Sequence, residues 1–240
     1  RAAIRLFAPV LPKDFSEVLA PSLRQLMQIL GAARDLDVLL HEVKAPVLAA
    51  MPDDPRLSAL ATVVAARRDQ ARQAASHYLA SPPYGQLQLR LLDLLHQSPF
   101  SDEAPAPLQS LETFSLERLQ RLRRKLRRLA WAADVDDLPS LHALRIAVKR
   151  LRYALEFFAA LPGGKRRARL AGRLTEAQGL LGQINDLATA RIVLEQSAGK
   201  DPQLQAGAAL VEQWHEHKQH QLLEDVKPLV AKLGRLPPVE

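Results

Sequence analysis

Apolar residues recur along this chain at spacings of three and four, the period of a helix with one buried face. In Leu141–Phe158 (LHALRIAVKRLRYALEFF), Leu144, Val148, Leu151, Leu155 and Phe158 fall on one stripe at 100° per residue. Leu116, Leu119, Leu122, Leu126 and Leu129 make a similar stripe one segment earlier. The same pattern predicts helices near residues 1–8, 15–43, 56–80, 85–97, 114–133, 139–160, 165–197 and 203–233. Between them stand prolines: Pro52 to Pro55, Ser81 to Tyr84, and the long run SPFSDEAPAPLQS from Ser98 to Ser110. The fold class expected is all-α. Four helices on either side of the Pro-rich run suggest two antiparallel four-helix bundles.

An internal repeat supports two related halves. Shifted by 151 residues without a gap, residues 1–36 match residues 152–187 at 11 positions, among them Phe7 on Phe158, Leu30-Gly31 on Leu181-Gly182, and Asp35-Leu36 on Asp186-Leu187. Duplication is the natural explanation. The expected organisation is a single domain over 1–240, with a first helical repeat in 1–97, a linker at 98–112 and a second repeat in 113–240. Residues 142–151 have no counterpart in the first copy, which is therefore expected to be truncated at its N-terminal end.

Composition adds a core of Leu, Ala, Val and Ile, since 48% of residues are hydrophobic but only 5% aromatic. Charge adds more. The formal net charge is +7, and it is concentrated. Arg118 to Arg173 holds 16 Lys plus Arg against 4 Asp plus Glu, while the rest of the chain holds 17 against 22. A local excess of this kind points to one polyanion site rather than a generally basic surface. The lack of cysteine excludes disulfides and thiol catalysis and fits a reducing compartment. No apolar run is long enough to span a membrane.

The basic residues fall on helix faces. His142, Arg145, Lys149, Arg152 and Tyr153 gather roughly opposite the apolar stripe of their helix, with Arg150 off to the side. Like charges one turn apart repel, and only Glu156 offsets them locally. The preceding helix carries Arg118, Arg121, Arg124, Lys125 and Arg128, and the following one Lys165, Arg166, Arg169 and Arg173. Three successive basic helices line a groove if their faces converge.

The pattern H-x-x-R-x-x-x-K-R-x-R-Y from His142 to Tyr153, followed by L-L-G-x-x-N-D-L from Leu180 to Leu187, resembles the second-half signature of CHAD (conserved histidine α-helical) domains. LGAARDLDV, Leu30 to Val38, resembles their first-half signature. The resemblance covers essentially the whole chain. It implies two pseudo-symmetric four-helix bundles around a basic central groove or channel that holds inorganic polyphosphate, without catalysis, and association with polyphosphate granules in the cytoplasm. Carried over by residue, it gives His142, Arg145, Lys149, Arg150 and Arg152 the ligand-facing role. Arg1 and Arg5 end the truncated first copy, and Arg34 lies in the first R-D motif. Arg121, Arg124, Arg128, Lys165, Arg166, Arg169 and Arg173 complete the candidate lining. The first-half histidine and its following basic residues are not in this chain, so part of the positive lining is expected to be missing.

A row of Arg and Lys suits polyphosphate because that polymer offers only charge and oxygen to recognise. Arg grips two oxygens through its guanidinium fork, and Lys supplies a mobile point charge. Other polyanions share this chemistry. A nucleic-acid-binding module is the alternative, though single-strand binders use aromatic platforms and the basic segment is aromatic-poor. A polyphosphate-processing enzyme is a third reading, which the shortage of carboxylates on the basic helices disfavours. No catalytic residue, metal site, cofactor or membrane partner is expected. Asp35, Asp37 and His41 are not read as metal ligands, and Asp35 and Asp186 are expected to bind nearby Arg or backbone groups and fix helix packing. The run from Trp214 to His220 is read as a polar helix face, and Gly31 and Gly182 as points where two helices approach closely.

Overall fold

The computed structural model describes residues 1–11, 13–96, 110–162 and 164–239, and among them there are helices and no strands. In chain order they are α1 (Ala2–Phe7), α2 (Lys13–Val38), a π-helical turn (Leu39–Lys44), α3 (Ala45–Ala50), α4 (Pro55–Leu79), α5 (Pro82–His96), α6 (Leu111–Trp131), α7 (Leu138–Phe157), α8 (Gly164–Ala198) and α9 (Pro202–Gly234). A helix is found in each of the eight stretches where the apolar spacing predicts one, with ends that differ by a few residues. Most of the linker expected at 98–112 lies outside the described residues, and Leu111 and Glu112 already belong to α6.

Local chemistry sets the helix starts. The Asp54 carboxylate accepts from the backbone N–H of Arg56 (2.9 Å) and Leu57 (3.4 Å), and Pro55 fills the first helical position of α4. The Arg56 side chain bonds the same carboxylate and, with those two amides, holds its pKa down at about 2. Ser110, Asp137 and Asp201 cap α6, α7 and α9 in the same manner. After α8, Gly199 takes φ +55°, the left-handed conformation that closes many helices.

The helix expected to end near residue 43 instead runs on to Ala50 through the π-helical turn. Pro46 supplies the reason. In a continuous α-helix its ring would clash with the carbonyl of Glu42. The turn is widened so that the Ala45 N–H donates to the Leu40 carbonyl, five residues back.

Two compact units divide the chain. The first comprises residues 1–11, 99–185 and 221–240, and the second residues 12–98 and 186–220. The second unit is built on α2, α4 and α5, the π-helical turn, the end of α8 and the start of α9. Its core joins Leu36, Leu39, Val43 and Val47 to Leu57, Leu60 and Val64 of α4, Leu194 of α8 and Val211 of α9. Polar ties bind the same helices: Arg72 to Asp37 at 2.8 Å, Arg67 to Ser197 at 2.9 Å, and His215 to the Val43 carbonyl at 2.7 Å. His215 is thus buried and fastened to the π-helical turn, which corrects its reading as part of a polar face. With a carbonyl as partner, its Nε2 must carry the proton.

Glycine also departs from expectation. A Cβ added at Gly31 or Gly182 would meet nothing within 4 Å, so neither marks a close helix approach. Gly207 does, since a Cβ there would lie 2.7 Å from the Arg56 carbonyl oxygen.

The first unit packs α7 against α6 and α1. Leu144, Val148, Leu151, Leu155 and Phe158, the stripe read from the sequence, are all buried. Six residues are too few for α1 to persist alone. Phe7 anchors it, stacking on Phe114 at 5.7 Å and meeting Phe158 edge-on at 5.7 Å. The Nη2 of Arg118 donates to the Arg5 carbonyl at the end of α1. Two arginines of α6 close the other end of the unit. Arg123, buried, donates from Nε (3.0 Å) and Nη2 (2.6 Å) to the Leu236 carbonyl, and Arg127 donates to the Gly234 carbonyl at 2.9 Å. Arg127 thus satisfies a carbonyl that the end of α9 leaves without a partner, and Arg123 one in the segment just beyond it. Replacing Arg123 by Ala should cost about 2–3 kcal/mol in denaturant unfolding, the scale of a buried charged hydrogen bond. The neighbouring exposed Arg124→Ala should stay within about 0.5 kcal/mol of the parent.

Candidate anion-binding face

Net charge separates with the units. The first holds 21 Lys plus Arg against 12 Asp plus Glu, a net of +9, and the second a net of −2. The richest element is α7. Its start is fixed by the Asp137 cap and Pro139, and its apolar stripe sets the rotation. His142, Arg145, Lys149 and Arg152 then follow at steps of three, four and three, a row about 15 Å long on one edge of the helix.

The two ends of that row are tied to α8. His142 Nδ1 lies 2.7 Å from the Asn185 side-chain oxygen, and Arg152 Nε donates to the Gln178 side-chain oxygen at 2.8 Å. With the Asn185 oxygen accepting, Nδ1 carries the histidine proton and Nε2 is left for solvent or ligand. Arg152 also pairs with Glu156 and covers the Tyr153 ring, its guanidinium carbon 4.5 Å from the ring centroid. Its charge is therefore met inside the helix. Between the two ties, Arg145 and Lys149 are half-buried and make no ion pair among the described residues. Arg145 Nε is shielded from solvent without a hydrogen-bond partner, as is Arg150 Nε on the other flank of α7.

The remaining candidates are dispersed. Arg121, Arg124 and Arg128 are exposed along α6, and Arg1 and Arg5 are exposed at α1. Burial, and then the charge of Arg121, lowers the pKa of Arg118. Lys165 is exposed at the start of α8. Arg166, Arg169 and Arg173 line a cleft of about 370 Å³ with Arg167 and the segment Pro237–Val239. They lie roughly 120–180° around α8 from Gln178, so this cleft opens away from the edge that meets His142 and Arg152. Arg34 belongs to the second unit. Its guanidinium bonds Asp35 at 3.0 Å and both oxygens of Asp186 at 3.0 and 3.2 Å. Burial alone would lower the Arg34 pKa, but the two carboxylates outweigh it and raise it. Asp35 and Asp186 thus bind an arginine, as the retained R-D and N-D motifs imply. Asp37 is taken by Arg72, and no group of three or more metal-ligating side chains gathers among the described residues.

Sequence reasoning missed the structural arginines Arg123 and Arg127. Their partners are backbone carbonyls more than a hundred residues away, which no local pattern announces.

A family model described as the CHAD domain matches residues 1–195. The chain belongs to the CHAD family. A crystal structure of the CHAD domain from the plant Ricinus communis superposes with a TM-score of 0.83 at 32% identity, over 100% of this chain and 79% of that one. PptA from Streptomyces chartreusis shares the fold at 14% identity, with a TM-score of 0.71 over 98% of this chain and 85% of that one. No curated protein matches the chain. The all-helical architecture is therefore that of a CHAD domain, and His142 occupies the histidine position of the motif from which the family resemblance was read.

The His142–Asn185 geometry makes a prediction for the free protein. Heteronuclear NMR of the imidazole nitrogens should find neutral His142 mainly as the Nδ1–H tautomer. Asn185→Ala should shift it toward Nε2–H. The same tautomer balance in both proteins would contradict the assignment.

Proposed function

We propose that this CHAD domain binds inorganic polyphosphate without transforming it, and that Arg145 and Lys149 of α7 make its central contacts. The observation that carries the proposal is a pair of half-buried cations on successive turns, without a carboxylate partner among the described residues, in a unit of net +9. Polyphosphate supplies the missing counter-charge in an unbranched row. Arg145 offers a guanidinium and Lys149 an ammonium, and His142 stands at the end of the row. Arg150, Arg121, Arg124 and Arg128 add long-range attraction rather than defined contacts.

Three further points favour this reading. The family resemblance implies polyphosphate as the ligand. The one carboxylate on α7 beside the row, Glu156, is held by Arg152 and is not placed as a base for phosphoryl chemistry. Tyr153, the aromatic residue of the basic edge, has its ring covered by Arg152, so a nucleobase would have to displace that arginine in order to stack. No helix among the described residues is long and apolar enough to cross a membrane. Association with polyphosphate granules in the cytoplasm follows from the same proposal.

Titration with long-chain polyphosphate at near-physiological salt tests the proposal. Binding should weaken as salt rises. The pair Arg145→Glu and Lys149→Glu should reduce affinity by about tenfold or more with helicity unchanged, since each charged contact is worth about 1.5–3 kcal/mol. Polyphosphate should displace RNA at far lower phosphate concentration than RNA displaces polyphosphate. Failure of the intact chain to bind, or binding indifferent to the charge reversals, would overturn the assignment. So would release of phosphate with Mg or Mn present.

A further inference from the structure

The second unit holds a cleft that the polyphosphate reading does not use. It has a volume of about 470 Å³ and opens between the π-helical turn with α3 on one side and α4 on the other. Its wall is apolar at Leu40, Leu48 and Ala65, and three side chains able to carry positive charge border it: His41, Lys44 and Arg68.

Lys44 is the unusual member. It is only 7% exposed and makes no ion pair or hydrogen bond among the described residues. Its pKa is lowered, first by burial and then by the charge of Arg68. Two cations are thus held side by side in a half-apolar recess. Of the nearby carboxylates, Asp69 relieves Arg68 and none relieves Lys44 among the described residues. Glu42 is exposed and pairs with neither. Asp69 binds Arg68 alone, taking Nε at 2.9 Å and Nη2 at 2.7 Å through one oxygen. Arg68 Nη1 is left without a bond among the described residues. Burying an unpaired ammonium is unfavourable; the Lys44 stem is buried, but its amino group is not among the buried atoms left without a partner and so reaches solvent. That leaves Lys44 without a counter-charge, beside an Arg68 that Asp69 holds from one side only.

We infer that this cleft is a second ligand site, for a small organic anion whose oxyanion group is held by Lys44 and Arg68 while a short apolar body rests on Leu40, Leu48 and Ala65. A few placed charges on an apolar wall are the usual composition of small-molecule sites, and this one is shallow and open to solvent. His41 stands at the edge, where it can add a hydrogen bond to the same oxyanion. The π-helical turn is what makes the recess. It widens the helix between Leu39 and Lys44, and the buried His215 holds it through the Val43 carbonyl. Such turns are frequent at functional sites. Inorganic polyphosphate lacks an apolar body and is not the ligand this wall selects.

Phenyl phosphate and orthophosphate serve as probes, titrated into residues 1–240 and followed by the backbone amide signals of Leu40, Lys44 and Arg68. Phenyl phosphate should bind at least about tenfold more tightly than orthophosphate. Lys44→Met keeps the stem and removes the unpaired charge, so it should fold at least as stably as the parent while weakening phenyl phosphate by about tenfold. Arg68→Gln should weaken it similarly, and the Arg145→Glu, Lys149→Glu pair should leave it unchanged. That last comparison separates failure of this site from failure of polyphosphate binding. Equal affinity for the two probes, unchanged affinity in Lys44→Met, or loss of phenyl phosphate binding on reversing Arg145 and Lys149 would each overturn the inference.

Discussion

Two positive charges on neighbouring turns of a rigid helix, Arg145 and Lys149, are met by no carboxylate among the described residues. Repulsion between them at i and i+4 opposes the helix by a few tenths of a kcal/mol if they are exposed, and more when half-buried. The apolar face of α7 overrides it. Leu144, Val148, Leu151 and Leu155 are each at most 3% exposed, and burying one such side chain contributes about 1.5–3 kcal/mol. The helix therefore keeps its rotation whatever the charges prefer, and the cations stay aligned with no carboxylate partner among the described residues. Much of the rest of the first unit serves this arrangement: the Asp137 cap fixes where α7 starts, the Phe7–Phe114–Phe158 cluster braces its far end, and the Asn185 and Gln178 ties set its edge against α8.

Arginines divide into two kinds of work. Arg34, Arg123, Arg127 and Arg152 spend their donors on carboxylates, backbone carbonyls or an amide. They join helices distant in sequence and are largely neutralised or satisfied in doing so. Arg145 is shielded without being satisfied, and Arg121, Arg124 and Arg128 are merely exposed. A basic composition therefore overstates the cationic surface available to a ligand.

The fold was largely legible because three-and-four spacing of Leu, Ala and Val encodes a buried stripe directly, and prolines at Pro52–Pro55 and Pro82–Pro83 interrupt it openly. The π-helical turn was not legible, because Pro46 reads locally as a helix end and only the surrounding core reveals that the helix continues past it. The glycine readings at Gly31 and Gly182 failed for a related reason: a glycine in a helix does not say whether anything lies opposite it, and Gly207 is the one pressed against a backbone carbonyl. At the candidate site, residue type and helix face placed His142, Arg145 and Lys149 on one edge. Whether a given arginine is free or engaged depends on partners such as Asp186 or Leu236, which the linear pattern does not identify. Thus Arg34 looked equivalent to Arg145 in sequence and differs from it in structure.

The proposal of a bound polyanion rests on Arg145 and Lys149 having no carboxylate partner among the described residues. Denaturant unfolding of the parent and of the double variant Arg145→Met, Lys149→Met, each without and with saturating polyphosphate, tests it most directly. The account predicts that the variant alone is at least as stable as the parent, and that polyphosphate stabilises the parent strongly but the variant little. A variant that is markedly less stable than the parent without polyphosphate, and gains as much from it, would contradict the account.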